Sequence, residues 1–192
     1  MLTPKIVSPD EAVAVIRDGD TVCTSGFVGI GTPDELILAL ERRFLDTRQP
    51  SGLTLVFAAA PGDGQERGLN RLAHAGLLKR VVGGHWSLVP KIGDLALDNA
   101  IEAYNLPLGC IARLYREIAA RGPGLLSKVG LRTFVDPRAL SRELEHGHNG
   151  PDGGLGQAAA VAVCHACAAS ARKIRRVRRE SVTVLTCKTG TF

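Results

Sequence analysis

Between Thr21 and Phe44 the chain reads, in order, as a short strand, a loop with a glycine at every second or third position, and an amphipathic helix. Thr21-Val22-Cys23-Thr24-Ser25 is β-branched and apolar enough to be a buried strand. Gly26-Phe27-Val28-Gly29-Ile30-Gly31 follows as the loop, and Thr32-Pro33-Asp34-Glu35 opens the helix. That tetrad predicts Thr32 as N-cap, Pro33 at the first helical position and Glu35 completing a capping box. The helix carries Leu36, Leu38, Leu40 and Phe44 and is expected to end near Asp46. A glycine-rich turn placed between a buried strand and a helix start lets backbone amides approach a ligand without side chains in the way. Those amides and the helix N-terminus favour negative charge. Taken alone, the feature fits either an anion-binding loop or a tight turn with no ligand. It is not a dinucleotide fingerprint, because its order is G-x-x-G-x-G, and no G-K-[ST] follows to make a phosphate-binding P-loop.

The same alternation continues along the chain. Ser8-Pro9-Asp10-Glu11 signals a helix running to about Arg17, and Asp18-Gly19-Asp20 a turn. Leu53 to Ala58 and Arg80 to Gly84 read as buried strands, and Ala100 to Tyr104 as a fourth. Helices are predicted at Leu69–Leu77, Pro90–Leu97 and Cys110–Ala120, the last with Ile111, Leu114, Tyr115 and Ile118 on one face. Lys128 to Val135 reads as extended. With aromatics at 4% of residues, Leu, Val, Ile and Ala must supply the packing. The pattern predicts an α/β domain with an open, mostly parallel sheet flanked by helices. In such a sheet the glycine loop sits at the carboxyl end of its strand, where ligands bind.

Charge separates the chain into two parts. Residues 1–138 hold 16 Lys/Arg against 15 Asp/Glu, whereas residues 139–192 hold 8 against 4, so most of the net +5 lies in the second part. That part is rich in Gly, Ala and Arg and reads as a poorly specified tail. Its basic run, Arg172 to Arg179, has no interleaved aromatics and reads as a solvated segment; no nucleic-acid partner is expected. Cys164-His165-Ala166-Cys167 has C-x-x-C spacing but no second ligand pair, so no metal is expected. Ser181 to Thr186 could form a strand. Nothing near Met1 resembles the apolar core of a signal peptide, and no apolar run approaches 18 residues. With cysteines in odd number, five, the expectation is a cytoplasmic chain with reduced thiols and no membrane partner.

Several separated stretches resemble family I coenzyme A transferases, in the acetate/propionate branch, N-terminal alpha-type half. Asp18-Gly19, Gly26-Phe27, Gly31 and Pro33 match the family's first signature, with Ser25 replacing the first of a glycine pair. The stretch Leu53–Asn70, then KRVVGGHW (Lys79–Trp86), EAYNLP (Glu102–Pro107) and TFVDPR (Thr133–Arg138) follow in the family's order. The resemblance covers about residues 1–138 and implies a fold like the NagB/RpiA/CoA-transferase superfamily. It also implies a covalent mechanism, in which a glutamate carboxylate attacks an acyl-CoA and carries CoA as a thioester to a second carboxylic acid. Coenzyme A is then a substrate, and no cofactor is implied. The glutamate belongs to the family's C-terminal, beta-type half, so no catalytic residue is assigned here. By resemblance the substrate-binding residues are Gly26, Phe27, Val28, Gly29, Gly31 and Asn105, and the complete enzyme is an oligomer.

Four residues at three places depart from the branch: Ala60-Pro61 stands for Gly-Gln, Leu108 for Gln and Arg132 for Gly. Glu145-His146-Gly147 fits a Glu-x-Gly pattern but lies beyond the matching region, and Glu102 reads as a strand-end polar group. His74, His85 and Trp86 read as packing residues. The pattern stops abruptly at Arg138, as a frameshift would make it, so residues 139–192 read as a frameshifted or disordered tail. Two rival readings stay open: a non-catalytic or damaged fragment of such an enzyme, and a sugar-phosphate isomerase of the same superfamily.

Overall fold

A computed structural model describes residues 6–120, 124–131, 133 and 183–185. They fall into two compact units, one holding the residues up to Ala103 together with 183–185, the other beginning at Tyr104. The elements in chain order are α1 (Pro9–Val13), β1 (Thr21–Phe27), α2 (Asp34–Thr47), β2 (Leu53–Ala59), a 3₁₀ turn (Leu69–Leu72), β3 (Leu78–Gly83), α3 (Pro90–Leu97), β4 (Glu102–Asn105), α4 (Leu108–Ala119) and β5 (Thr183–Leu185). The sheet order is β4-β3-β2-β1-β5. β1 pairs in parallel with both β2 and β5, and β2 pairs in parallel with β3. The α/β fold expected from the alternation is the fold observed.

Register explains why β1, β2 and β3 are largely apolar where they pair. Val22, Leu55 and Val81 are partners across β1, β2 and β3, as are Thr24, Phe57 and Gly83 one pleat further on. Val22, Leu55, Phe57 and Val81 join Val13 and Ile16, then Ile37, Leu40 and Phe44 of α2 and Ile92 of α3, in one buried cluster. The alternate positions Cys23, Val56 and Val82 are also buried, so both faces are shielded from water. A parallel sheet covered on both faces has no place for polar alternation.

Element ends show where local signals prevailed. Ser8 makes the predicted capping box: its hydroxyl accepts from the Glu11 amide, and the Glu11 carboxylate accepts from the Ser8 amide. The helix nevertheless ends at Val13, short of the expected Arg17. Arg43 of α2 donates to the carbonyls of Val13 and Ile16, at 2.6 and 2.9 Å, and so takes up groups that a longer helix would have satisfied itself. The expected helix at Leu69–Leu77 is only the 3₁₀ turn Leu69–Leu72. Gly76, at φ +88°, breaks the path, and β3 begins at Leu78. Lys128 to Val135 is not extended where described: Leu131 donates back to Lys128 and Val129–Leu131 is a turn. Arg132 and the stretch 134–138 lie outside the described residues, as do Glu145, the Cys164–Cys167 spacing and the Arg172–Arg179 run.

In the second unit, α4 buries Ile111 and Leu114, while Leu108 at its start is exposed. No described helix is long and apolar enough to cross a membrane.

Candidate functional site

The signature that spans Asp18 to Pro33 builds two opposite ends of β1. At its start, Asp18 accepts from the Ser51 amide at 2.7 Å, Gly19 donates to the Ser51 carbonyl, and Asp20 accepts from the Arg17 amide. These bonds fasten the entry of β1 to the entry of β2, and their role is structural.

At the carboxyl end the chain turns through Phe27-Val28-Gly29-Ile30. Phe27 and Ile30 exchange both backbone hydrogen bonds, at 3.0 and 2.9 Å. Val28, the first central residue, has φ +56°, and Gly29, the second, does not lie at positive φ. That is the sign pattern of a type II′ turn, whose first central position belongs to glycine. A β-branched residue held there is strained. Gly26 is required on two counts. Its φ is +108°, and a Cβ would lie 2.6 Å from Thr32 Oγ1 and 2.9 Å from Thr32 Cα and N.

Thr32 corrects the sequence expectation. It is not the N-cap of α2; Pro33 is, without a side-chain hydrogen bond. The Thr32 hydroxyl instead donates to the Val28 carbonyl at 2.9 Å, and the Ser25 hydroxyl donates to the Gly31 carbonyl at 3.2 Å. Both hydroxyls are thus spent on closing the turn beneath its tip. The amides of Phe27 and Ile30 are used inside the turn, which leaves those of Val28 and Gly29 at the tip with no partner among the described residues. Phe27 is 52% and Ile30 80% exposed. The turn stands open to solvent and is not packed against its own core.

Beside it lies the loop after β2. Ala60 sits at φ +46°, a conformation that glycine takes without strain. Pro61 is buried. Asp63 Oδ1 accepts from the Gln65 and Arg67 amides, both at 2.9 Å. The Arg67 amide, then that of Gln65, holds the Asp63 carboxyl below the usual carboxylate range. Asn70 is buried and donates to the carbonyls of Arg67 and Leu88.

Of the predicted site residues, Gly26, Phe27, Val28, Gly29 and Gly31 form the one turn. Asn105 ends β4, exposed, in the second unit. Glu102, expected to hydrogen-bond nearby backbone at the strand end, instead pairs with the Arg80 guanidinium of β3 at 2.6 Å. Trp86 packs edge-on to Phe57 with ring centroids 5.6 Å apart, and His74 stacks on Phe44. His85 shares a hydrogen bond with Ser87 at 2.7 Å. Among the described residues no group of three or more His, Cys, Asp or Glu is arranged to hold a metal ion.

A strand-to-helix turn of this kind is compatible with many ligands; similarity to known proteins narrows the choice. The sequence profile of the coenzyme A transferase family matches residues 6–178. The chain belongs to the coenzyme A transferase family. It is 41% identical over 140 residues to the acetate CoA-transferase YdiF of Escherichia coli O157:H7, covering 72% of this chain and 26% of that protein. It is also 41% identical over 134 residues to the caffeate CoA-transferase of Acetobacterium woodii, covering 70% and 26%. To the acetate CoA-transferase subunit alpha of Escherichia coli K12 it is 29% identical, covering 69% and 57%. The crystal structure of the YdiF apoenzyme superposes with a TM-score of 0.66 over 69% of this chain and 26% of that one. The chain therefore spans about a quarter of the length of the first two transferases. The matching region is the alpha-type N-terminal half.

Proposed function

We propose that this chain forms the acyl-facing part of a transferase that moves CoA between a short-chain acyl-CoA and a carboxylic acid acceptor. The observation that carries the reading is the open turn at Phe27–Ile30, whose tip amides at Val28 and Gly29 have no partner among the described residues. Two amides at such a point suit an oxyanion that develops on an acyl carbonyl. The attacking carboxylate is supplied by a glutamate of a C-terminal, beta-type half, either a further part of the chain or a separate subunit. That carboxylate adds to the acyl carbonyl, CoA leaves as thiolate, and a mixed anhydride forms. The thiolate then adds to the glutamyl carbonyl, releasing the first acid and leaving a glutamyl thioester, from which the acceptor acid takes CoA. The likeness to an alpha subunit of a two-subunit enzyme supports this division of labour. Gly26, Gly29 and Gly31 give the backbone its approach, while Phe27 and Val28 border the acyl group. The assembled enzyme is an oligomer that works in the cytoplasm without a further cofactor.

The test is to incubate the chain with acetyl-CoA or propionyl-CoA and borohydride, which reduces a glutamyl thioester. The chain alone is expected to show a ligand-induced rise in melting temperature, no turnover and no trapped thioester. Adding the C-terminal half of a related transferase should bring trapping and turnover, with the modification on the added half. Turnover or modification of the chain by itself would overturn the assignment of the nucleophile. No thermal shift with either thioester would overturn the binding role of the turn.

A further inference from the structure

Three loops leave the carboxyl ends of β1, β2 and β3, and one run of hydrogen bonds joins them. From the glycine turn, the Val28 carbonyl accepts from the Thr32 hydroxyl at 2.9 Å, and the Thr32 carbonyl accepts from the Asp34 amide at 2.9 Å. The Asp34 carboxylate then reaches across to the second loop, where Oδ1 accepts from the Gly68 amide at 3.0 Å in a part-buried position. Gly68 is seated against Pro61 and Gly62. It bridges Gly62, the next amide at Leu69 donates to the Pro61 carbonyl at 2.8 Å, and a Cβ on Gly68 would collide with that carbonyl. Two residues on, the buried Asn70 donates to the Leu88 carbonyl at 3.0 Å and accepts from the Lys91 amide at the start of α3. Asp34 and Asn70 are side chains through which one loop holds the next, and an ion pair between Glu66 and Lys91 adds a more exposed link between the second loop and the start of α3.

We propose that Asp34 and Asn70 are positioning residues that lock the loops after β1, β2 and β3 into a single rim and so hold the Val28 and Gly29 amides in place for the acyl group. This rests on the binding role given to the turn. Its mechanical part stands independently, because hydrogen bonds link the loops whether or not a thioester binds. Asp34 lies at the first position of α2, where a carboxylate is expected simply to favour the helix dipole, as the neighbouring Glu35 does. What sets Asp34 apart is the partner: an amide 34 residues away on a different loop.

Amide hydrogen exchange on the ligand-free chain, followed by acetyl-CoA binding, tests both parts. In Asp34→Ala, exchange should rise about tenfold in segments 26–31 and 61–68, as the loss of a hydrogen bond to a charged acceptor implies. Asp34→Asn keeps an acceptor oxygen at the same place and should return exchange to within about twofold of the parent. Glu35→Ala should leave both segments unchanged. Asn70→Ala should loosen segments 61–68 and 86–92. Acetyl-CoA affinity should fall about tenfold in Asp34→Ala and recover in Asp34→Asn. Unchanged exchange at 26–31 in Asp34→Ala, or no recovery in Asp34→Asn, would overturn the proposal. So would a matching rise in the amides of β2 and β3, because Asp34 would then serve global stability alone. If the parent chain binds no acetyl-CoA, the binding role of the turn fails, and the exchange data still decide the mechanical link.

Discussion

Val28 and Gly26 show how a single backbone angle can carry the consequences of a site. Val28 is half-exposed at φ +56°, so its side chain gains little from burial while its backbone is strained. Val28→Gly should therefore raise stability by about 1 kcal/mol, read as a higher urea midpoint with an unchanged slope. Gly26→Ala should do the reverse. It adds a Cβ at φ +108° against Thr32 and should cost about 1–3 kcal/mol while also displacing the turn. Equal stability in Gly26→Ala would mean that the close approach to Thr32 is relaxed in solution. Asp63 offers a pH test whose sign follows from its depressed carboxyl. A carboxylate with a folded-state value below its unfolded one, about 3.9, contributes stability above that value and loses it as pH falls through the lower folded one. The stability difference between the parent and Asp63→Asn should thus be constant from neutral pH down to about pH 4 and should shrink below it. A difference that persists unchanged at lower pH would contradict the assignment.

At the scale of elements, helices here are held by what they touch more than by their own propensity. α2 buries Ile37, Ala39, Leu40 and Phe44 on the face toward the sheet. Leu40 is fully buried, so Leu40→Ala should cost about 2–5 kcal/mol in denaturant unfolding. α1, only five residues long, depends on its ends: the Ser8 capping box at one and Arg43 at the other. Ser8→Ala should cost about 1 kcal/mol. The periodicity of α3 predicted its bounds correctly, and α4 began two residues before expectation. The helix expected at Leu69–Leu77 was misread for a physical reason. Its apolar residues, Leu69, Leu72 and Leu77, are all buried, but they reach the core from a 3₁₀ turn and a strand entry. Spacing alone does not separate those arrangements from one helix.

At the scale of the whole molecule, β5 lies against β1 through Val22, Cys23 and Thr24, covering an edge that would otherwise present unpaired backbone groups. Truncation after Arg138 removes β5. The shortened chain should be less stable and more prone to associate, as urea unfolding and light scattering would register. If truncation leaves both unchanged, residues beyond 138 are a passenger, as a frameshifted tail would be.

Much of the fold was legible because apolar strands and helix starts are local signals, and the sequence alone determined the α/β alternation, the parallel sheet and the place of the glycine turn at a strand's carboxyl end. It also determined the family, through motifs spread along the chain. Only the tertiary structure decided that Thr32 closes the turn instead of capping α2, that Val28 takes the strained position, and that Asp34 and Asn70 join loops far apart in sequence. Hydrogen bonds of that kind depend on which loops the folded sheet brings together, and no spacing along one segment records a neighbour that lies 34 residues away.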